Sequence, residues 1–197
     1  MRLPPLALIL AGLALATSPA CDLPPSVDPT PVDLGPLPDD SLYQLGLSLL
    51  DQRGQTVDLG LHRGHPTLVT MFYGSCPAAC PMLIADMKAI EAQLSPAAAD
   101  ALRVVMVSFD PEVDRPEVLA DLAREHGLDG TRWTLASSHP DEVRSLAAVL
   151  GISYRRLDSG HYNHSAVITL LDPQGRPSAR IEGLGQSPAP ILAALSP

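Results

Sequence analysis

The chain has 197 residues, 46% of them hydrophobic, which is enough for one domain of ordinary size with a surplus at the N-terminus. Its formal charge of −9 and only 13 Lys and Arg argue against a nucleic-acid binder, because phosphate backbones are held by dense basic patches. An acidic surface of this kind suits solubility, a cationic partner or a metal ion.

Residues 1–20 read as an export signal. Arg2 supplies the positive start, Leu3 to Leu15 form a short apolar run, and Ser18-Pro19-Ala20 is a small-x-small cleavage site. The run is shorter than the roughly 20 residues of a comfortable bilayer-spanning helix, so a permanent anchor helix is the weaker reading. An exported chain reaches a compartment where disulfides are permitted. Cleavage after Ala20 would leave Cys21 first in the mature chain, where a bacterial lipoprotein carries its lipid; Ser18 stands where such signals usually place Leu. Plain cleavage and retention of the segment are the alternatives. Once Cys21 is lipidated, the other two cysteines, Cys76 and Cys80, form a closed pair.

Residues 21–40 carry prolines at 24, 25, 29, 31, 36 and 38 with no apolar periodicity, and predict a stiff extended spacer. The domain is expected over residues 41–197. Apolar runs at Tyr43–Leu50 and Thr56–Leu59 flank Asp51-Gln52-Arg53-Gly54, which reads as an N-terminal hairpin. Pro66–Tyr73 is nearly continuous apolar sequence, the pattern of a strand buried on both faces, and leads straight into Gly74-Ser75-Cys76. Leu83, Met87, Ile90 and Leu94 follow at helical spacing, with Pro81 expected at the first helical position. Leu102–Phe109 predicts a second buried strand, and Pro116–His126 and Asp141–Leu150 predict helices stopped by Gly127 and Gly151. Ser165–Leu171 and Ser178–Glu182 flank Asp172-Pro173-Gln174-Gly175 as a second hairpin, and Pro188–Leu195 predicts a closing helix. This order describes an α/β fold, a thioredoxin-like mixed sheet with flanking helices and an added N-terminal hairpin.

In such a fold, cysteines between the first buried strand and its helix carry chemistry. The helix N-terminus offers partial positive charge and unpaired N–H groups that favour thiolate, the form needed for disulfide exchange and for metal ligation. Three residues separate Cys76 from Cys80, where thioredoxin-like reductants use two. A four-residue step returns to the same helical face, so two sulfurs can converge on one ion, while a disulfide also remains possible. Two soft thiolates suit Cu(I) or Zn and are too few for an iron–sulfur cluster.

A third ligand is sought among six histidines. His62 and His65 lie in a polar turn and are expected to face solvent. His126 suits a helix C-terminus, and His139 precedes Pro140 in a loop. His161 and His164 remain, just before the late strand whose preceding loop packs beside the redox loop in thioredoxin-type sheets. Ordinary members carry a cis-proline there, and this chain has no proline between Gly151 and Asp172. That position favours His164 as the residue able to reach both sulfurs.

The motifs resemble the Sco/SenC family, the copper chaperones of cytochrome oxidase assembly, over roughly residues 43–184. They are Cys76-Pro77-x-x-Cys80-Pro81, then Val107-Ser108-Phe109-Asp110-Pro111-Glu112-x-Asp114-x-Pro116-Glu117, then Leu150-Gly151-Ile152-Ser153-Tyr154, and His164-Ser165-x5-Leu171-Asp172-Pro173-x-Gly175. The resemblance implies that Cys76, Cys80 and His164 bind copper, as Cu(I), Cu(II) or both. It implies a periplasmic, membrane-tethered protein that receives copper from a donor and delivers it to a receiving protein such as an oxidase subunit, or keeps that subunit's cysteines reduced. It further implies that Asp110 acts behind the site or toward a partner; a simple acid at a helix N-terminus is the competing reading. Where relatives carry acidic residues between the cysteines and before the histidine, this chain has Ala78-Ala79 and Asn163. Their absence removes repulsion of thiolate and a possible orienting partner for His164. A thiol–disulfide oxidoreductase, with Cys76 attacking and Cys80 resolving, is the alternative function. A peroxide-reducing enzyme fits less well, since it needs one activated Cys among Thr and Arg.

Overall fold

The computed structural model describes residues 34–76 and 79–196, the Ala79 side chain aside. The predicted signal segment, Cys21 and most of the predicted spacer lie outside them. Leu34 and Gly35 are held on the domain: their carbonyls accept from Arg63, and Leu34 also accepts from the Gln174 amide.

The strands are β1 (Leu49–Asp51), β2 (Thr56–Val57), β3 (Thr67–Phe72), β4 (Arg103–Ser108), β5 (Trp133–Ser138), β6 (Tyr154–Arg156), β7 (Tyr162–His164), β8 (Val167–Leu171) and β9 (Pro177–Glu182). The helices are α1 (Ala79–Glu91), α2 (Pro96–Ala101), α3 (Pro116–Glu125), α4 (Pro140–Leu150) and α5 (Ala189–Leu195). Seven strands form one sheet in the order β2-β1-β5-β4-β3-β8-β9, with β3, β4 and β5 parallel and the others added antiparallel. The remaining pair, β6 and β7, is a separate antiparallel ribbon.

Alternation along β3 and β4 divides the core in two. Val69, Met71, Val105 and Val107 pack with Val143, Leu146 and Leu150 of α4 on one face. Leu68, Phe72, Val104 and Met106 pack with Leu83, Ile84 and Met87 of α1 and Leu119 of α3 on the other. The sheet is therefore covered on both faces, the thioredoxin-like α/β architecture expected of its sequence.

Both predicted hairpins form, by one shared device. Oδ1 of Asp51 accepts from the N–H groups of Arg53 and Gln55, and Oδ1 of Asp172 accepts from those of Gln174 and Arg176. Gly54 (φ +73°) and Gly175 (φ +84°) supply the left-handed residue each turn requires.

Several elements differ from expectation. The first half of the Tyr43–Leu50 run is a 3-10 turn, Leu42–Leu45, capped by Ser41. The first cysteine helix begins at Ala79, so Pro81 is its third residue. β5, α2 and the β6–β7 ribbon were not anticipated. β5 (Trp-Thr-Leu-Ala-Ser-Ser) shows no apolar alternation, yet every residue in it is buried. The Gln52 side chain joins the ladder like a piece of backbone: Nε2 donates to the Trp133 carbonyl (2.8 Å) and Oε1 accepts from the Leu135 N–H (3.0 Å).

Candidate metal centre

β3 ends at the Cys loop. The Tyr73 carbonyl accepts from the Cys76 N–H at 3.2 Å and from the Cys80 thiol at 3.0 Å, which closes the loop on itself. Both cysteines are unbridged thiols. Cys80 sits in the first turn of α1, buried among the residues of the α1 core, whereas Cys76 is half-buried where the two cores meet. Their side chains are hydrogen-bonded to each other. Burial pushes the Cys80 thiol up to about 12, with the neighbouring Cys76 adding to the effect. The helix N-terminus favours thiolate, but the Cys80 sulfur lies in the core, where desolvation works against that form. A metal bound through Cys80 would have to displace that proton.

A second buried group supports the loop. Asp114 is fully buried; its Oδ2 accepts from the Gly74 N–H at 2.8 Å and from the Ser108 hydroxyl. Its Oδ1 has no hydrogen-bond partner among the described residues, and a Cβ on Gly74 would sit 2.6 Å from it. Burial pushes the Asp114 carboxyl up, against the lowering effect of those two donors.

His164 ends β7. Its ring lies 4.9 Å from that of Phe109 and 5.8 Å, edge-on, from that of Tyr73. Nδ1 approaches the Ser165 carbonyl at 3.2 Å, which directs Nε2 toward other partners. Asn163 alternates to the opposite face of the ribbon and is exposed. His161 also comes near, with its ring 6.5 Å from Tyr73. Among the described residues, no three His, Cys, Asp or Glu side chains are close enough to hold a metal as they stand. Thus Cys76 and Cys80 are already together, while His164 packs against the ring of Tyr73, the residue that is hydrogen-bonded with Cys76.

Tyr73 links the two halves of this arrangement. Its hydroxyl is hydrogen-bonded with the Cys76 side chain and accepts from the Tyr162 N–H of the ribbon; burial first, then the Cys76 contact, raises its pKa. Phe109 stacks on Tyr154 at 5.2 Å, and Tyr162 packs on both Phe109 and Tyr73. Three of the four tyrosines and one of the two phenylalanines thus gather here, a concentration that could have flagged the ribbon in advance.

Asp110 is buried and faces Tyr162. It is no helix cap: Arg115 holds the N-cap position of α3, without a side-chain cap, and Glu117 is the first-turn acid. The other histidines are structural. His62 and His65, expected to face solvent, are half-buried, bonded to the Thr134 hydroxyl at 3.1 Å and the Ala101 carbonyl at 3.1 Å. His126 ends α3, and Nδ1 of His139 caps α4.

A seven-stranded thioredoxin-like sheet with a Cys-x3-Cys loop at the end of β3 and a histidine ribbon beside it defines the Sco class of domains. The SCO1/SenC family profile matches residues 39–196, and the chain belongs to that family. It is 25% identical over 134 residues to a SCO2-like protein of Rickettsia typhi, covering 65% of this chain and 64% of that one. It is 23% identical over 141 residues to the SCO1 protein homolog of Bacillus subtilis, covering 70% and 72%. The solved structure of Bradyrhizobium japonicum ScoI with copper bound superposes with a TM-score of 0.62 at 25% identity, covering 76% of this chain and 94% of that one. The match thus spans about 64% of the length of the Rickettsia relative.

Proposed function

We propose that this chain is an exported, membrane-tethered copper-binding protein of cytochrome oxidase assembly, holding one copper ion between Cys76, Cys80 and His164. The observation that carries this reading is the pair of adjacent thiols linked to His164 through Tyr73, which is hydrogen-bonded with Cys76 and packs against the histidine ring. Two thiolates and an imidazole are a donor set suited to copper, and the copper-bound ScoI neighbour supports that choice of metal. Capture by all three ligands requires the ribbon to approach the loop and the Cys80 proton to leave. In this reading the ion passes to the copper site of an oxidase subunit, Asp110 acts from behind the ribbon through Tyr162, and Cys21 carries the tether.

Titration of the reduced protein with Cu(I) and Cu(II), beside His164→Ala, tests the proposal. Binding of one ion per chain is expected, with Cu(II) binding sharply weakened by the substitution. Unchanged binding of both ions in His164→Ala removes the histidine from the site.

A second reading rests on the contrast between half-buried Cys76 and buried Cys80. In a thiol–disulfide exchange, Cys76 thiolate would attack a disulfide of the receiving protein and release one of its thiols. Cys80 would then displace the second, leaving two thiols on the target and a Cys76–Cys80 disulfide here. Efficient reduction of a protein disulfide by the wild type, with copper binding absent, favours this reading.

A further inference from the structure

A groove of about 470 Å³ opens directly beside the candidate metal centre. Phe109 and Tyr154, stacked on each other, contribute its aromatic surface, and Tyr162 lines both the groove and the wall next to Tyr73. Arg144, Arg155 and Arg156 line it as well, on a chain whose net charge is −9. Arg144 is shared with Asp141 of its own helix, whereas among the described residues no ion pair engages exposed Arg155 or Arg156. Two acids complete the lining. Asp110 is buried against Tyr162, and Glu112 is exposed.

The backbone adds a second feature. β6 pairs with β7 alone. The ribbon's flanking bonds run from Ser165 N–H to the Ser153 carbonyl and from Leu157 N–H to the His161 carbonyl. Antiparallel alternation then turns the N–H and C=O groups of Tyr154 and Arg156 outward, toward an edge that no strand of the described residues occupies.

We infer that this groove is a docking site for an extended acidic segment of the protein that exchanges copper or electrons with the Cys loop. The inference rests on the reading of the site given above. The segment adds as a strand to the outer edge of β6, its carboxylates meet Arg155 and Arg156, and an apolar side chain covers Phe109 and Tyr154. Guanidiniums without an ion pair among the described residues, beside an aromatic surface, attract such a segment, while the net charge of −9 on each copy makes two copies of this chain repel one another overall, which disfavours a second copy as occupant. Because Phe109 packs on His164, the docked segment lies next to the ligand set.

The test is an NMR titration of the purified, reduced protein with the blocked pentapeptide Asp-Glu-Trp-Asp-Glu, beside its Lys-Lys-Trp-Lys-Lys counterpart and inorganic phosphate. The acidic peptide should shift resonances of Tyr154, Arg155, Arg156 and Phe109 and bind at least tenfold more tightly than the basic one. Affinity should fall severalfold between 20 and 200 mM NaCl, and Arg155→Glu/Arg156→Glu should lose at least tenfold. Equal binding of the two peptides, or no effect of the double substitution, overturns the inference. It is also overturned if phosphate alone reproduces the shifts (a simple anion site) or if they arise from dilution-dependent self-association. Copper titration of the same double variant separates the two readings: both exposed arginines lie outside the ligand set, so copper binding should be unchanged whether or not the peptide binds.

Discussion

At the scale of single residues, Tyr73 and Asp114 hold the Cys loop in place. Tyr73→Phe removes the hydroxyl between the Cys76 side chain and the Tyr162 N–H while keeping the ring contacts with Phe109 and His164. The loss should cost about 1 kcal/mol of stability, typical of one hydrogen bond, and should change the rate at which Cys76 reacts with a small disulfide probe. An unchanged rate would mean that the hydroxyl does not govern the thiol. Asp114→Ala leaves the Gly74 N–H and Ser108 hydroxyl without their acceptor inside the protein, and should lower the unfolding free energy in urea by about 1–3 kcal/mol. Gly74→Ala approaches the same carboxylate from the other side. Its new Cβ would crowd Oδ1, so the Cys loop must shift, and copper affinity should drop together with stability. Retention of wild-type affinity in Gly74→Ala would show that the loop tolerates the displacement.

At the scale of elements, β5 depends on a side chain from elsewhere in the chain. Gln52→Leu keeps the volume but strands the Trp133 carbonyl and the Leu135 N–H in a buried position. The expected loss is about 2–4 kcal/mol, read as a lower urea midpoint, because two backbone groups lose their partners at once. The same contact explains why β5 was illegible as a strand. Thr134, Ser137 and Ser138 look solvent-facing in sequence, yet His62 reaches the Thr134 hydroxyl and the Ser138 hydroxyl donates to the Ser48 carbonyl at 2.8 Å. By contrast β3, β4, α1, α3, α4 and both hairpins were legible, since each carries a long apolar run, a helical period or an Asp-x-x-Gly turn. The β6–β7 ribbon, only three residues on each side, was too short to carry a period of its own.

At the scale of the whole molecule, stability should depend on pH through His62. Burial, followed by the charge of Arg103, lowers its pKa from 6.5 to about 4. The unfolded chain therefore binds a proton between these values that the folded chain refuses. The contribution of neutral His62 is complete above pH 6.5 and is lost as pH falls toward 4. Asp114, whose carboxyl is raised, works in the opposite sense: its contribution falls as pH rises above the ordinary carboxylate range. Thermal melts of wild type and His62→Gln from pH 7 to pH 4.5 isolate the histidine. The wild type should lose stability more steeply, and parallel curves would show that His62 is not the group responsible.

The sequence by itself determined the sheet's central strands, the Cys-x3-Cys loop at the end of β3, and His164 as the histidine beside it. These are written locally, in hydrophobic period, turn residues and motif spacing. Tertiary structure alone decided the burial of the Cys80 thiol, the Asp114 support under Gly74, and the Tyr73 link between loop and ribbon. It also decided that Arg155 and Arg156, without ion pairs among the described residues, line a groove beside the candidate site. These features join residues far apart in the chain, and desolvation and hydrogen bonding across such distances exist only once the core has closed.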